Sequence, residues 1–368
     1  MVEPVAPDVM VRQVDTLASD LRALAAPVTE QVRAALRGPP WSAVRQVYLT
    51  GAGDSHYASR SVEMAFETVA GVACRAISAQ FFNDYAALSL RLRQGPAVVI
   101  AASASGRTPE AVAALRTARE QGAATVAVTC RPDSPLTMEA GHSVVAELAD
   151  LERSPGIRTY QATLLGLLTT AVELAALRGT GAVGRQAPGG RLGWLADHVA
   201  ETALTVKERC VEVAEAIAAA PTMAMLGSGP SLGAAMFGAA KMAEAAGVPV
   251  LAQDLDEWWH VERRVAPADM PLFVIAPPGQ SHVRASYVAA AGRRLGRRVI
   301  AVVDERDEGV TRHADAVLPV PARVREEFSP VLYHLFAGYL AAFVARRRGR
   351  LAFEGDPPDL PGTLEQFG

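Results

Sequence analysis

Residues 98–112 read VVIAASASGRTPEAV. Five apolar positions end at Ala102, and three hydroxyls (Ser103, Ser105 and Thr108) then gather around Gly106 before Pro109-Glu110 opens a helical pattern. A short, continuously apolar run suits a strand buried on both faces, and proline suits the first position of a helix. The hydroxyls therefore lie at the carboxyl end of a parallel strand, where open α/β sheets receive their ligands. Backbone N–H groups at a helix N-terminus attract an anion, hydroxyls add hydrogen bonds, and Gly106 lets the backbone come close. The stretch has no Lys-Ser/Thr ending of a triphosphate loop and no Gly-x-Gly-x-x-Gly spacing, which disfavours nucleoside triphosphates and dinucleotides. Two readings stand: a phosphate site, or ordinary turn-and-cap chemistry, which also draws Ser and Thr to such positions.

Working outward, the same pattern recurs. Apolar, β-branched runs fall at 44–51, 72–78, 97–103, 124–130 and 142–148, with helical periodicity over 56–69, 108–121 and 159–177. After a Gly/Arg/Pro-rich stretch at 178–193 the series restarts, at 222–229, 248–254, 271–278, 298–305 and 316–321. Both halves open on a strand ending in Gly-x-Gly, LTGAGDSHYA (49–58) and MLGSGPSLGA (225–234), and both carry a small-residue loop about fifty residues later. Two α/β units related by duplication follow, each a five-stranded parallel sheet flanked by helices in a three-layer, flavodoxin-like arrangement. The expected organisation is an amphipathic N-terminal helical segment (1–43), a first unit (44–180), a linker and connecting helix (181–220), a second unit (221–349) and a tail (350–368). The second unit's APPGQS (276–281) lacks most of the hydroxyls of SASGRT (103–108), so one phosphate site per chain is expected, in the first unit.

Composition narrows the function. The 368 residues are 50% hydrophobic and 20% charged with a formal net charge of −3, which offers no footprint for nucleic acid or an anionic membrane. Apolar runs are short and punctuated, so no membrane span is expected. Glu3 and Asp8 near the start argue against a leader peptide, and three scattered cysteines (Cys74, Cys130 and Cys210) suit reduced thiols, so a cytoplasmic protein is expected. No histidine or cysteine spacing calls for a metal. Of 36 basic residues only Lys207 and Lys241 are lysines.

The order Gly-x-Gly loop, Ser-x-Ser-Gly-x-Thr loop and second Gly-x-Gly helix, GSGPSLGAAMFGAAKMAE (227–244), resembles the SIS (sugar isomerase) domain family over residues from about 8 to 350, and in particular its tandem proteins, such as the isomerase half of glucosamine-6-phosphate synthase. The resemblance implies that Ser55, Ser103, Ser105 and Thr108 hold the phosphate of a sugar 6-phosphate, with Gly53, Arg158, Thr159 and Glu257 also in the substrate region. It implies Glu244 as the base that moves a proton between C1 and C2, Lys241 as its electrostatic partner, and His260, in LDEWWHVER (255–263), as the ring-opening group, often supplied across a dimer interface. Lys241 and Glu244 stand three apart, on one helical face; the plainer alternative is a surface ion pair. Trp258 and Trp259 are packing residues or sugar platforms.

Departures accompany the likeness. The family's His-Gly-Pro is here His260-Val261-Glu262, its Ser-Thr-Lys is Arg158-Thr159-Tyr160, and the tail has no lysine to form a Schiff base. The expected function is a phosphosugar isomerase, deaminase or deglycase on an amino- or keto-hexose 6-phosphate, working as a homodimer without a cofactor. The rivals are a sugar-phosphate-binding regulator with no catalysis and a secondary-metabolic enzyme with a non-standard substrate.

Overall fold

Each apolar run becomes a parallel strand. The computed structural model describes residues 3–38, 41–92, 95–180, 192–265 and 267–355. In the first half β1 (Gln46–Gly51), β2 (Ala73–Ser78), β3 (Ala97–Ala102), β4 (Ala124–Thr129) and β5 (His142–Val145) form one sheet in the order β2-β1-β3-β4-β5, with Gln46 in register with both Ala73 and Ala97. In the second half β6 (Met223–Leu226), β7 (Val250–Gln253), β8 (Pro271–Ala276), β9 (Arg298–Asp304) and β10 (Ala316–Val320) repeat the order as β7-β6-β8-β9-β10. Strand order thus reverses between β1 and β3, and again between β6 and β8, the switch points at which such sheets open a crevice. The strands are shorter than the apolar runs: β1 and β2 begin one or two residues late, and β3, β4 and β5 end one to three residues early. Much of the expected linker (181–191) and the tail from 356 onward lie outside the described residues.

The first half carries α1 (Asp8–Ala35), α2 (Asp54–Thr68), the single turn α3 (Ala79–Phe81), α4 (Pro109–Glu120), α5 (Pro135–Glu139) and α6 (Arg158–Arg178). The second carries α7 (Leu195–Ile217), α8 (Pro230–Lys241), α9 (Leu255–His260), α10 (His282–Arg294), α11 (Pro330–Tyr333) and α12 (Leu335–Arg347). One wide π-turn, Phe82–Ala86, follows α3, and another, Met242–Ala246, continues α8.

The duplication extends to backbone torsions. Gly53 before α2 has φ 51° and ψ −128°, and Gly229 before α8 has φ 55° and ψ −128°. That region is open to glycine and strained for other residues.

Helix α6 is long and apolar enough to cross a membrane by length and composition, with a mean hydropathy of 1.3, but 89% of that apolar window is buried within the protein. It is buried nearly throughout its length, with α1 and α2 both packed against it. The stripe of α1 (Val14, Leu17, Leu21, Leu24 and Val28) is likewise buried in the chain's own core, where α1 packs on α6, α7 and α12. Asp15 of α1 pairs with Lys207 Nζ at 2.7 Å and accepts from the Tyr339 hydroxyl at 2.5 Å, tying α1 to α7 and α12. The amphipathic character of α1 is accounted for within one chain.

The two halves meet where α2 packs on α8. Gly233 permits this: a Cβ there would stand 2.1 Å from Ser61 Oγ and 2.6 Å from the Tyr57 carbonyl oxygen. Beside it the Tyr160 and Phe237 rings stack at 3.9 Å, with buried His334 edge-on to both and its Nε2 2.6 Å from Gln161 Oε1.

Candidate functional site

The crossing of α2 and α8 brings the C-terminal end of α8 to the first turn of α2. Lys241, the last residue of α8, is completely buried there. Its ammonium donates to Asp54 Oδ2 at 2.7 Å and to Glu244 Oε2 at 2.5 Å. The expected one-face pair of Lys241 and Glu244 is present, but it straddles the change from α-helix to π-turn and is no surface ion pair. π-turns widen a helix locally and cluster at functional sites. Here the turn carries Glu244 on a half-exposed carboxylate while Lys241 stays inside.

The charges work on one another. Burial alone would lower the Lys241 pKa, but Asp54 and Glu244 outweigh it and hold the ammonium charged. Burial raises the Glu244 carboxyl above its ordinary range, Lys241 opposes the rise, and the like charge of Asp54 adds to it. The half-buried Tyr57 phenol is raised by burial and by both carboxylates. A carboxyl moved toward neutrality and set against a fixed cation has the character of a base that can take a proton and give it back.

Asp54 was not among the residues singled out from the sequence. An acidic residue in the first turn of a helix is common because it complements the helix dipole, and that reading hides it. The usable signal is the repeat, which places Pro230 of GSGPS where GAGDS has Asp54. Gly156 makes room for the carboxylate: a Cβ there would lie 2.5 Å from Asp54 Oδ2 and 3.1 Å from Thr159 Oγ1, so Thr159 stands at the edge of the same cluster.

The hydroxyl loop lies at the switch point. Ser103 is buried after β3, Thr108 is half-buried and Ser105 exposed. Ser103 Oγ lies 2.8 Å from Thr108 Oγ1 and 3.4 Å from Ser105 Oγ, and Ser105 Oγ accepts from the Arg107 backbone N–H. Thr108 occupies the N-cap position of α4, yet its hydroxyl caps no backbone group of that helix. Ser134 and Ser78, at the N-caps of α5 and α3, do cap theirs. The Ser103, Ser105 and Thr108 hydroxyls face one another across the loop, and Ser105 also makes a turn bond to the Arg107 N–H. Gly106, at φ +64°, packs so closely on Ser134 that a Cβ would meet its Oγ at 2.2 Å. Ser55 joins from α2: the Cβ position of Gly51 is 2.9 Å from Ser55 Cβ and 2.8 Å from the Ala102 carbonyl oxygen, which places Ser55 beside the residue preceding Ser103.

The equivalent loop of the second half has its own carboxylate. The Gln280 N–H donates to Glu326 Oε2 at 2.9 Å, and the Gly279 Cβ position lies 2.2 Å from the same group.

Other expected residues are placed elsewhere. Arg158 is committed to structure: its guanidinium grips Asp20 of α1 in a two-pronged pair, both contacts 2.7 Å, and donates to the Asp150 carbonyl oxygen at 3.1 Å. A cation close in sequence to the site is thus spent on holding α1 to α6. His260 and Glu257 lie on the exposed side of α9. His260 Nε2 pairs with Asp256 at 3.3 Å and touches none of Lys241, Glu244 and Asp54. Trp258 is fully buried and packs; Trp259 is partly exposed with the Arg263 guanidinium 4.0 Å from its ring centre. The three cysteine thiols are buried and pushed up, Cys130 to about 12.

This pair of five-stranded parallel sheets, each with a switch point, is the architecture of a tandem α/β protein. The SIS domain model matches residues 42–172 and 216–345, and the chain belongs to the SIS domain family. It is 28% identical over 335 residues to the isomerizing glutamine–fructose-6-phosphate aminotransferase of Gloeobacter violaceus, a match covering 87% of this chain and 52% of that protein. The chain spans about half the length of the curated relatives it matches. Its fold is also that of the tagatose-6-phosphate ketose/aldose isomerase of Escherichia coli (TM-score 0.73, 16% identity, 99% of this chain and 100% of that one). The glucosamine-6-phosphate deaminase of Thermotoga maritima is similar too (TM-score 0.72, 17% identity, 97% and 99%).

Proposed function

We propose that the chain is an enzyme acting on a hexose 6-phosphate by proton transfer between C1 and C2, as an isomerase, deaminase or deglycase. The observation that carries this is the buried Lys241 between Asp54 and Glu244, with the Glu244 carboxyl raised and half-exposed. Ser55, Ser103, Ser105 and Thr108 take the phosphate, helped by the N-terminus of α4. Glu244 removes the proton from one carbon and returns it to its neighbour. Lys241, buried behind Glu244, holds that carboxylate in place and tunes its basicity. On an amino sugar the same proton shift yields an imine that water hydrolyses, releasing ammonia or an amine.

His260 serves ring opening from a second protomer, since its own chain leaves it exposed and away from Glu244. The assembly in this proposal is a homodimer; light scattering that returns a monomer removes His260 from the mechanism. The alternative, a regulator that binds sugar phosphate without turnover, draws on that same separation. The experiment follows ammonia release and aldose–ketose interconversion with purified protein and its Glu244→Gln variant. Loss of a general base costs about a hundredfold to ten-thousandfold in rate, and binding with no turnover in the wild type establishes the regulator.

A further inference from the structure

Glu244 stands in a π-turn whose own backbone leaves its carbonyl oxygen without a donor. The turn ends at Gly247, at φ 62°, and the next N–H, of Val248, goes back to the Met242 carbonyl oxygen at 3.4 Å. Residue 249 is proline and has no N–H to give. The Glu244 carbonyl is thus one of the helix-end acceptors that must be satisfied from outside. Its donor comes from the segment after α12: the Phe353 N–H reaches it at 2.7 Å.

Phe353 holds an unfavourable backbone to do so. Its φ is +65°, and among the described residues only Asp150 shares a positive φ without being glycine. A bulky residue avoids that region because its Cβ crowds the carbonyl oxygen. The surroundings hold it there. The Arg350 N–H closes α12 on the Ala345 carbonyl oxygen at 3.0 Å, and the Arg350 guanidinium lies against the π-turn, with Cζ 2.5 Å from the Cβ position of Gly247. Ala352, fully buried, donates to the Val5 carbonyl oxygen at 2.9 Å and accepts from the Val5 N–H at 3.1 Å. The Phe353 ring packs on the main core. Strain kept in place by its neighbours in this way gathers at functional sites. The duplicated helix shows that the fold does not require it: with the two Gly-x-Gly loops in register, Thr68 matches Glu244, and α2 ends there with no π-turn.

We propose that Phe353 is a positioning residue for Glu244: its left-handed backbone aims an N–H at the carbonyl oxygen of the base-bearing residue and so fixes where the carboxylate stands. This rests on the reading of Glu244 as the base and goes beyond it. Phe353 acts through Glu244 and not on the substrate. A reacting group displaced by about 1 Å loses about a hundredfold in rate, so a contact that sets the backbone of the base is felt in kcat. Substrate affinity, which lies with the phosphate loop in the first half, is left alone.

The test compares kcat and KM on glucosamine 6-phosphate and fructose 6-phosphate for the wild type, Phe353→Ile and Phe353→Gly, with urea unfolding of each. Isoleucine keeps an apolar side chain, but its branched Cβ resists the left-handed region; glycine gives up all the packing and takes that φ freely. A purely structural role makes glycine the worse variant. The positioning role reverses the order: Phe353→Ile should lose about tenfold or more in kcat with KM within about threefold of the wild type, and Phe353→Gly should restore kcat to within about threefold. If Phe353→Ile does not fold, Phe353→Ala takes its place, since alanine also resists a positive φ and exceeds glycine by one methyl; its kcat should fall below that of Phe353→Gly. A wild type that turns over, with the two variants equal in kcat or glycine the slower, overturns the assignment of Phe353 and leaves Glu244 as the base. A wild type that turns over neither sugar phosphate overturns this assignment and the reading beneath it.

Discussion

Replacing Lys241 by methionine isolates the electrostatics of the site, because methionine keeps the apolar stem and removes only the ammonium. Lys241 is fully buried, at 2.7 Å from Asp54 and 2.5 Å from Glu244. Removing one partner of such a buried pair costs about 3–5 kcal/mol, since the other charges stay behind uncompensated. In the variant two carboxylates face each other, and the cheapest remedy is for one to take a proton. Glu244, already raised, is the group to do so. The sign follows from linkage: a carboxyl raised in the folded state binds more protons there than in the unfolded chain, so stability falls as pH rises, by up to about 1.4 kcal/mol per pH unit per proton. Lys241 in the wild type is itself raised, so its contribution is fully present below the ordinary lysine pKa and is constant between pH 5 and 8. Lys241→Met should therefore lose about 3–5 kcal/mol at about pH 8 and recover roughly half of that by about pH 5. Urea unfolding of both proteins at the two pH values reads the difference. A loss of the same size at both, or one under about 1 kcal/mol at pH 8, would refute the reasoning.

Three further outcomes are expected. Thr108→Val should cost about 1 kcal/mol of stability, since the hydroxyl caps nothing but gives up its bond to Ser103 Oγ, while weakening sugar phosphate binding about tenfold; calorimetry alongside unfolding separates the two. Arg158→Met should destabilise the chain by about 3–5 kcal/mol through the orphaned Asp20, with substrate affinity unaltered below the unfolding midpoint. His334 is lowered to about 3 and His56 to about 4, both chiefly by burial, so both histidines take up a proton on unfolding below about pH 6.5 and stability falls with decreasing pH. His334→Gln should make the decline from about pH 6.5 to 5 shallower by up to about 1.4 kcal/mol per pH unit, read from unfolding midpoints across that range.

The fold was legible because strands buried on both faces show up as unbroken apolar runs, and because the chain states its pattern twice. The position of the hydroxyl loop at the carboxyl end of β3 was legible from the apolar run and the proline after it, while its reading as a phosphate site came from the resemblance to the SIS family, since turn-and-cap chemistry draws the same residues. Lys241 and Glu244 were marked by the resemblance to the SIS family, with the scarcity of lysine in support, since their spacing alone reads equally as a surface ion pair. What the pattern could not carry was pairing at a distance. Asp54 lies 187 residues from Lys241, and only the crossing of α2 and α8, permitted by Gly233, joins them. Arg158 illustrates the converse. Its neighbours in sequence suggested a cation at the site, yet Asp20, 138 residues away, holds the guanidinium. His260 is written where the resemblance puts a ring-opening group, and among the described residues its imidazole pairs with Asp256.

The most direct measurement follows ammonia release and aldose–ketose interconversion over hexose and hexosamine 6-phosphates with the wild type and Glu244→Gln. Turnover by the wild type that is lost in the variant while sugar phosphate still binds is the result this account predicts. Turnover that survives in Glu244→Gln, or none in either protein, contradicts Glu244 as the base.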